Sequence, residues 1–472
     1  MKKLTIIGAG WSGLACAVAA TQAGWQVELL EAASEPGGRA RSLEQTVAGV
    51  PLDNGQHILL GAYRDTLQLM RTVGVNPDDV LLRLPLDLRT ADGFGFKLPA
   101  SVLDGLANVF AYPSSSSSDL TLTSPVSLSL SEKSFITLAA YWKLLVGVSF
   151  AKGWSTQDKW RLLLACRRWQ VAGFTCDVHW SVAQLCESSQ LTPKVVQGLI
   201  EPLCLSALNM PLQSASAAVF LRVLHDAMLS RWGSSDLLIP KTDLGALFPK
   251  ACLKWLRARD AQVHLGKRFT QDDLATWLAE SYQHLPKENG QKRGLVLACP
   301  AWEAARLMQT VAPDWSCIAN ALSHTSIATV YLQCQDAGFS GLNRPMVALH
   351  MGPNAPAQFV FDRGALCQQP GLLAAVVSAS EGERDRIAPQ VQQQVAEQLG
   401  LNTINLVQTV VEKRATFACL PNTFESPRHA GDKPDMFVAP HIYACGDYVR
   451  GPYPATLEGA VRSGLQVVRH LD

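Results

Sequence analysis

Three glycines, in the run Gly8-Ala9-Gly10-Trp11-Ser12-Gly13, have the spacing with which a chain wraps a pyrophosphate. Gly8 permits a sharp turn, Gly10 lets backbone approach the phosphates, and Gly13 lets a helix pack closely on a strand. The flanking residues supply those elements. Leu4-Thr5-Ile6-Ile7 is short, apolar and β-branched, as a buried strand requires. Leu14 to Ala20 is rich in small residues and lacks proline, which predicts a helix whose N-terminal N–H groups and partial positive charge face the phosphates. Gly24 ends that helix, and Val27 to Leu30 predicts a second parallel strand. The strand closes on Glu31, a carboxylate able to accept both hydroxyls of a ribose. Together these residues predict dinucleotide binding.

The whole chain has room to position such a site. Its 472 residues suffice for two or three domains. A net charge of +1 gives no electrostatic reason to expect a nucleic-acid partner. Hydrophobic residues make up 48% and charged ones 17%, a lean surface that suggests a large apolar cavity or a membrane-facing patch. The twelve cysteines contain no C-x-x-C, so free thiols of a cytoplasmic protein are expected, and no metal site. Met1-Lys2-Lys3 before an apolar run resembles an export signal, but the three glycines and Ser12 interrupt the apolar stretch and argue against one.

Four further stretches carry a family resemblance. Glu35-Pro36-Gly37-Gly38-Arg39 resembles the G-G-R after the second strand of FAD-dependent amine oxidases and carotenoid desaturases. Asp53-Asn54-Gly55-Gln56-His57, followed by small residues and Tyr63, resembles hydroxysqualene dehydroxylases, the squalene-associated branch of FAD-dependent desaturases. The segments Pro202-Leu203-Cys204, Ser206 to Asn209, Phe220 to Leu224 and Ser235 to Pro240 with Asp243-Leu244 are similar to the middle of the same enzymes. Cys445-Gly446-Asp447 and Tyr453 to Ala460 resemble the closing strand, loop and helix of the superfamily. The resemblance implies an α/β (α+β mixed) fold, a Rossmann-type FAD-binding domain interleaved with a mixed-sheet substrate domain and a helical cap. It implies FAD on Gly8, Gly10, Ser12, Gly13, Glu31, Ala32, Gly37, Gly38 and Arg39. Asn54, Gly55, Gln56, Phe269, Gly446, Asp447, Thr456 and Leu457 would complete the site. The boundaries that follow are 1–92, 235–310 and 431–472 for the FAD-binding parts, and 93–234 with the cap and 311–430 with the sheet for the substrate domain.

The activity implied is reduction of hydroxysqualene to squalene. An acid assists loss of an allylic hydroxyl as water, and reduced FAD delivers hydride. His57 is the first candidate for the acid, with Tyr453 and Arg450 behind it; the plainer reading of His57 is a satisfied turn histidine. What reduces the FAD has no signature here, since no second G-x-G-x-x-G is available for a nicotinamide cofactor. Carotenoid desaturation on the same fold is the alternative, and a non-catalytic isoprenoid escort a further one. Amine oxidation is disfavoured: no lysine lies between Cys317 and Gln335, and Thr456 stands where amine oxidases place a cage tyrosine.

A long-chain isoprenoid must come from lipid. Tyr112 to Pro125, with five consecutive serines, reads as a surface loop leading into a helical region over Val126 to Arg231. Phe135 to Phe150 is apolar but interrupted by Lys143 and Gly147, short of a membrane span. Between Trp142 and Trp180 lie five of the twelve tryptophans, interleaved with basic residues such as Lys152, Lys159, Arg167 and Arg168. That pattern predicts a helical face on the membrane interface, and a cytoplasmic protein held peripherally.

Overall fold

The computed structural model describes residues 2–99, 142–229, 233–283, 292–381, 384–422 and 433–471. The serine run and the first part of the expected cap lie outside the described residues.

The predicted strand–turn–helix–strand forms as Lys2–Ile7, the helix Trp11–Gln22 and Gln26–Glu31, with the two strands parallel and Leu4 opposite Val27. Helix and strands are buried almost throughout, which small side chains and aliphatic runs allow. Around them stands a six-stranded sheet in the order Phe437–Ala439, Ile442–Ala444, Lys292–Leu297, Lys2–Ile7, Gln26–Glu31, Gln262–Leu265. All are parallel except the first, so three stretches distant in sequence build one dinucleotide-type sheet.

The two ends of the chain close on each other. The helix Leu457–Leu471 packs on Trp11–Gln22 so tightly that a Cβ on Gly464 would stand 2.1 Å from the Ser12 carbonyl oxygen. Gly13 does the same beneath the first turn, where a Cβ would meet the Gly8 oxygen at 1.9 Å. Only glycine fits either place.

A second, antiparallel sheet orders Met346–Ala348, Phe359–Asp362, Leu372–Ser378, His324–Cys334 and Ile404–Phe417. Side chains alternate across its faces. Ala328, Val330 and Leu332 turn to the helix Arg384–Leu399, packing with Ile387, Val391 and Val395. The opposite face, with Tyr331, Phe359, Phe361 and Val376, joins the core that the cap helices also enter.

The cap is helical as expected, with Thr156–Val171, Val182–Ser188, Glu201–Leu208 and Ala217–Leu229 among its elements. Ser155 and Ser181 each start a helix through a reciprocal capping box with Asp158 and Gln184. Asn209, in a left-handed turn at φ 53°, ends Glu201–Leu208 and pins it to the antiparallel sheet. Its Nδ2 donates to Thr325 and Thr416 hydroxyls, both at 2.9 Å. From Gly93 to Pro113 the sequence reads as strand segments followed by a helix; of these, residues 93–99 are described and pair at isolated bridges, Asp87 with Lys97 and Gly95 with Lys152. Gly93 and Gly95, both at positive φ, break the extended run there.

Candidate active site

Between the two sheets and the cap lies a cavity of about 800 Å³. One part is lined by the glycine turn and by the loops after the second and last parallel strands. The rest is lined by apolar side chains of the antiparallel sheet and the cap, among them Ile327, Phe359, Phe361, Leu203 and Phe220, with Leu88 from the segment after the strand Leu81–Leu84.

The glycine turn is built as its sequence demands. Gly8, at φ +109°, has no space for a side chain, since a Cβ would stand 2.7 Å from the Ala298 oxygen. Gly10 faces Gly38, which sits at φ +61°, a conformation that favours glycine, and where a Cβ would press on the Gly10 Cα at 3.2 Å. Glu31 accepts the Ala9 N–H at 2.6 Å on one oxygen and the Ala33 N–H at 2.8 Å on the other. Both oxygens retain a lone pair for a ligand hydroxyl. Ser12, Ala32, Gly37 and Phe269 also line this end. Gly13 does not; its place is in the helix packing described above.

Arg39 ties three segments together. It donates to Asp447 at 2.6 Å and to the Ala415 carbonyl at 2.6 Å, joining the loop after the second strand to the segment after the last parallel strand and to the antiparallel sheet. Gly446 and Asp447 stand on the cavity wall with Thr456 and Leu457. Thr456 caps the C-terminal helix, its hydroxyl accepting the Gly459 N–H at 3.0 Å. Glu458 is buried and caps a different helix, Arg64–Thr72, by accepting from Thr66 N–H at 3.0 Å and Thr66 Oγ1 at 2.7 Å. Burial, helped by Asp65, pushes its carboxyl up to about 7.

The Asp53 to His57 loop reaches the cavity with Asn54, Gly55, Gln56 and His57. Asp53 itself turns away. Its carboxylate meets Arg363 at 2.8 Å with side chains 2% and 0% exposed, an ion pair wholly inside the protein. Arg363 also donates to Gln369 at 2.8 Å, while the second Asp53 oxygen accepts the Leu244 N–H at 2.8 Å. Burial lifts the Asp53 carboxyl to about 6, and the adjacent guanidinium keeps it ionised at neutral pH.

The three candidate acids separate. His57 lies on the cavity wall, but burial lowers it to about 4, so its imidazole is neutral at pH 7 and holds no readily shed proton. Arg450 is 69% exposed, pairs with Asp435 at 3.2 Å and is not on the cavity wall. Tyr453 lines the cavity, and its Oη accepts from Arg462 at 2.8 Å. Sequence reasoning passed over Asp53, Arg363 and Glu458 as site-building residues. Glu458 stood in the quoted C-terminal motif, whereas nothing local to Arg363 marks it.

Comparison with known proteins agrees with this architecture. The profile described as flavin containing amine oxidoreductase matches residues 11–471. The chain is 24% identical to the hydroxysqualene dehydroxylase of Zymomonas mobilis, covering 97% of this chain and 96% of that one. It is 25% identical to that of Rhodopseudomonas palustris, with 98% and 96% covered. Among solved structures, an oxidoreductase from Methanosarcina mazei superposes with a TM-score of 0.62 at 13% identity, over 99% of this chain and 100% of that one. A flavin is therefore the cofactor class of an oxidoreductase, and the chain belongs to the flavin-containing amine oxidoreductase family.

Proposed function

We propose that this chain binds FAD and, with the flavin reduced, converts hydroxysqualene to squalene with loss of the hydroxyl as water. The observation that carries the reading is one cavity with a dinucleotide cradle at one side and an oily chamber at the other. The cradle fits FAD. Its glycines leave backbone where phosphates approach, and Asn54 Nδ2 is buried on the wall with no protein partner, a donor suited to a ligand oxygen. Glu31 would take the ribose, and Arg39 and Asp447 would hold the loop beside the pyrophosphate. When bound and reduced, FAD supplies the hydride.

The protein does the rest. Leu88, Ile327, Phe359, Phe361 and Phe220 exclude water and hold an isoprenoid chain by burial. Tyr453, on the cavity wall, is the residue assigned to give a proton to the leaving oxygen in this reading. His57, neutral, serves as a hydrogen-bonding wall residue.

A thirty-carbon isoprenoid prefers lipid to water by something on the order of 20 kcal/mol, taking ~0.8 kcal/mol per CH2. The cap suits transfer from a bilayer. Trp142, Phe150 and Trp160 are 68%, 83% and 63% exposed, with Leu145 and Val171 also outward and Lys152, Arg167 and Arg168 exposed nearby. Large apolar residues left in water beside basic ones suit an interfacial face. Among the described residues no helix is long and apolar enough to cross a membrane.

Product analysis tests the reaction. Photoreduced protein incubated anaerobically with hydroxysqualene is expected to yield squalene. Conversion of a phytoene-like polyene by the oxidised protein, with no squalene from the reduced one, would replace dehydroxylation by desaturation.

A further inference from the structure

Removing a hydroxyl as water consumes one proton per turnover in a chamber walled by hydrocarbon. One polar cluster reaches that wall from outside. Tyr453 and Asp226 both line the cavity, Tyr453 from the loop before the C-terminal helix and Asp226 from the cap helix Ala217–Leu229. The neighbouring His225 lies 2.8 Å away, Nδ1 to the Asp226 carboxylate, with its side chain 45% exposed.

Charged groups of three elements fix this cluster. Arg222, one turn earlier on the cap helix, donates to the other Asp226 oxygen at 3.0 Å and stands 5.7 Å from the centre of the Tyr453 ring. Arg462, from the C-terminal helix, donates to Tyr453 Oη at 2.8 Å and pairs with Asp65 of the helix Arg64–Thr72 at 3.3 Å. Phe174 meets the His225 ring edge-on at 5.4 Å. Because a guanidinium has only donors, the Arg462 contact uses a Tyr453 lone pair and leaves the phenol hydrogen to be donated. Asp226 shares the cavity wall with Tyr453, and Arg222 bridges the two; burial first, and then the Asp226 carboxylate, hold the proton on the phenol against the pull of Arg462 and Arg222.

We propose that His225, Asp226 and Tyr453 form a proton relay from bulk water to the cavity, feeding the leaving hydroxyl. The proposal rests on the dehydroxylation reading above. In the step, the carbon–oxygen bond breaks with its electron pair going to oxygen, and the Tyr453 proton turns that oxygen into water. The carbon receives hydride, so the substrate is reduced and the flavin oxidised. The phenolate, flanked by Arg222 and Arg462, recovers a proton through Asp226 from His225. The His225 ring, 45% exposed, meets bulk water and is the outer end of the chain. Tyr453 is the catalytic residue; Asp226 and His225 act through it.

The test is single-turnover reoxidation of photoreduced protein by hydroxysqualene across pH, with squalene quantified and flavin content read by absorbance. Tyr453→Phe, which keeps the ring, should slow squalene formation roughly tenfold or more. His225→Gln, which keeps a polar contact but cannot carry the proton, should flatten the pH profile between mildly acidic and mildly basic buffer, and added imidazole should restore rate. If wild-type protein makes squalene while both variants match it in rate and pH profile, the relay is wrong and the reaction stands. A slower His225→Gln with an unchanged profile and no imidazole rescue marks a merely structural role and also overturns the relay. No squalene from wild-type protein overturns the reaction and the relay together.

Discussion

Arg363 shows how a residue with no visible chemistry shapes a site. Its guanidinium fixes Asp53 from beneath, so the next four residues face the cavity in one arrangement. Removing one partner of a buried pair strands the other charge, so Arg363→Met should cost about 3–5 kcal/mol in urea unfolding. Asp53→Asn combined with Arg363→Met should recover part of that loss, because no lone charge is left. The buried Glu458 and the partly buried His57 predict pH dependences of opposite sign. Glu458 has a folded value near 7 against an ordinary 4.5, so the stability it contributes is full below about 4.5 and lost as pH rises through 7. That is a loss of roughly 3 kcal/mol, at 1.36 kcal/mol per unit. His57, depressed from 6.5 to about 4, contributes stability that is full above 6.5 and lost as pH falls through 4. Glu458→Gln should therefore remove the fall in stability between about pH 4.5 and 7 and leave the opposing His57 rise between about pH 4 and 6.5 visible on its own, as measured by urea midpoints of the flavin-free protein from pH 4 to 9. At this scale the sequence was legible where function is local. The three glycines and Glu31 declare themselves by spacing. The Asp53–Arg363 pair spans 310 positions, and no periodicity links its ends.

Among the elements, the crossing of Trp11–Gln22 with Leu457–Leu471 does most to form the cradle. Gly464→Ala would place a methyl 2.1 Å from the Ser12 oxygen, so the helices must part and the glycine turn with them. The expected result is protein that loses flavin on dilution and gel filtration under conditions where the wild type keeps it. Both helices were readable, one from its small residues and the other from the loop before it; their contact was not, because a glycine's meaning as a packing site depends on its partner. The cap divides in the same way. The density of tryptophan and basic residues announced an amphipathic region, yet Trp154 and Trp169 are core residues while Trp142 and Trp160 face outward. Sequence spacing could not sort them, since the turn at Gly153 and the cap at Ser155 reset the helical phase. Replacing Trp142, Phe150 and Trp160 together by serine should abolish sedimentation with anionic liposomes while leaving flavin content intact. Undiminished sedimentation would remove the cap face from the membrane account.

Over the whole molecule, three stretches of sequence make one parallel sheet, and the intervening segments make the antiparallel sheet and cap that enclose the chamber. The arrangement forces a ligand that reaches the cradle to share its cavity with whatever fills the oily side. Fold and cofactor class followed from the two termini, because strand, turn and helix there are local. The chamber's wall followed only from tertiary structure, because its residues come from many elements that look like ordinary core. The most direct test of the account is anaerobic mixing of photoreduced protein with one equivalent of hydroxysqualene while flavin absorbance is followed. The account predicts return of the oxidised-flavin spectrum in step with one squalene per flavin. A flavin that stays reduced, with hydroxysqualene recovered unchanged, would contradict it.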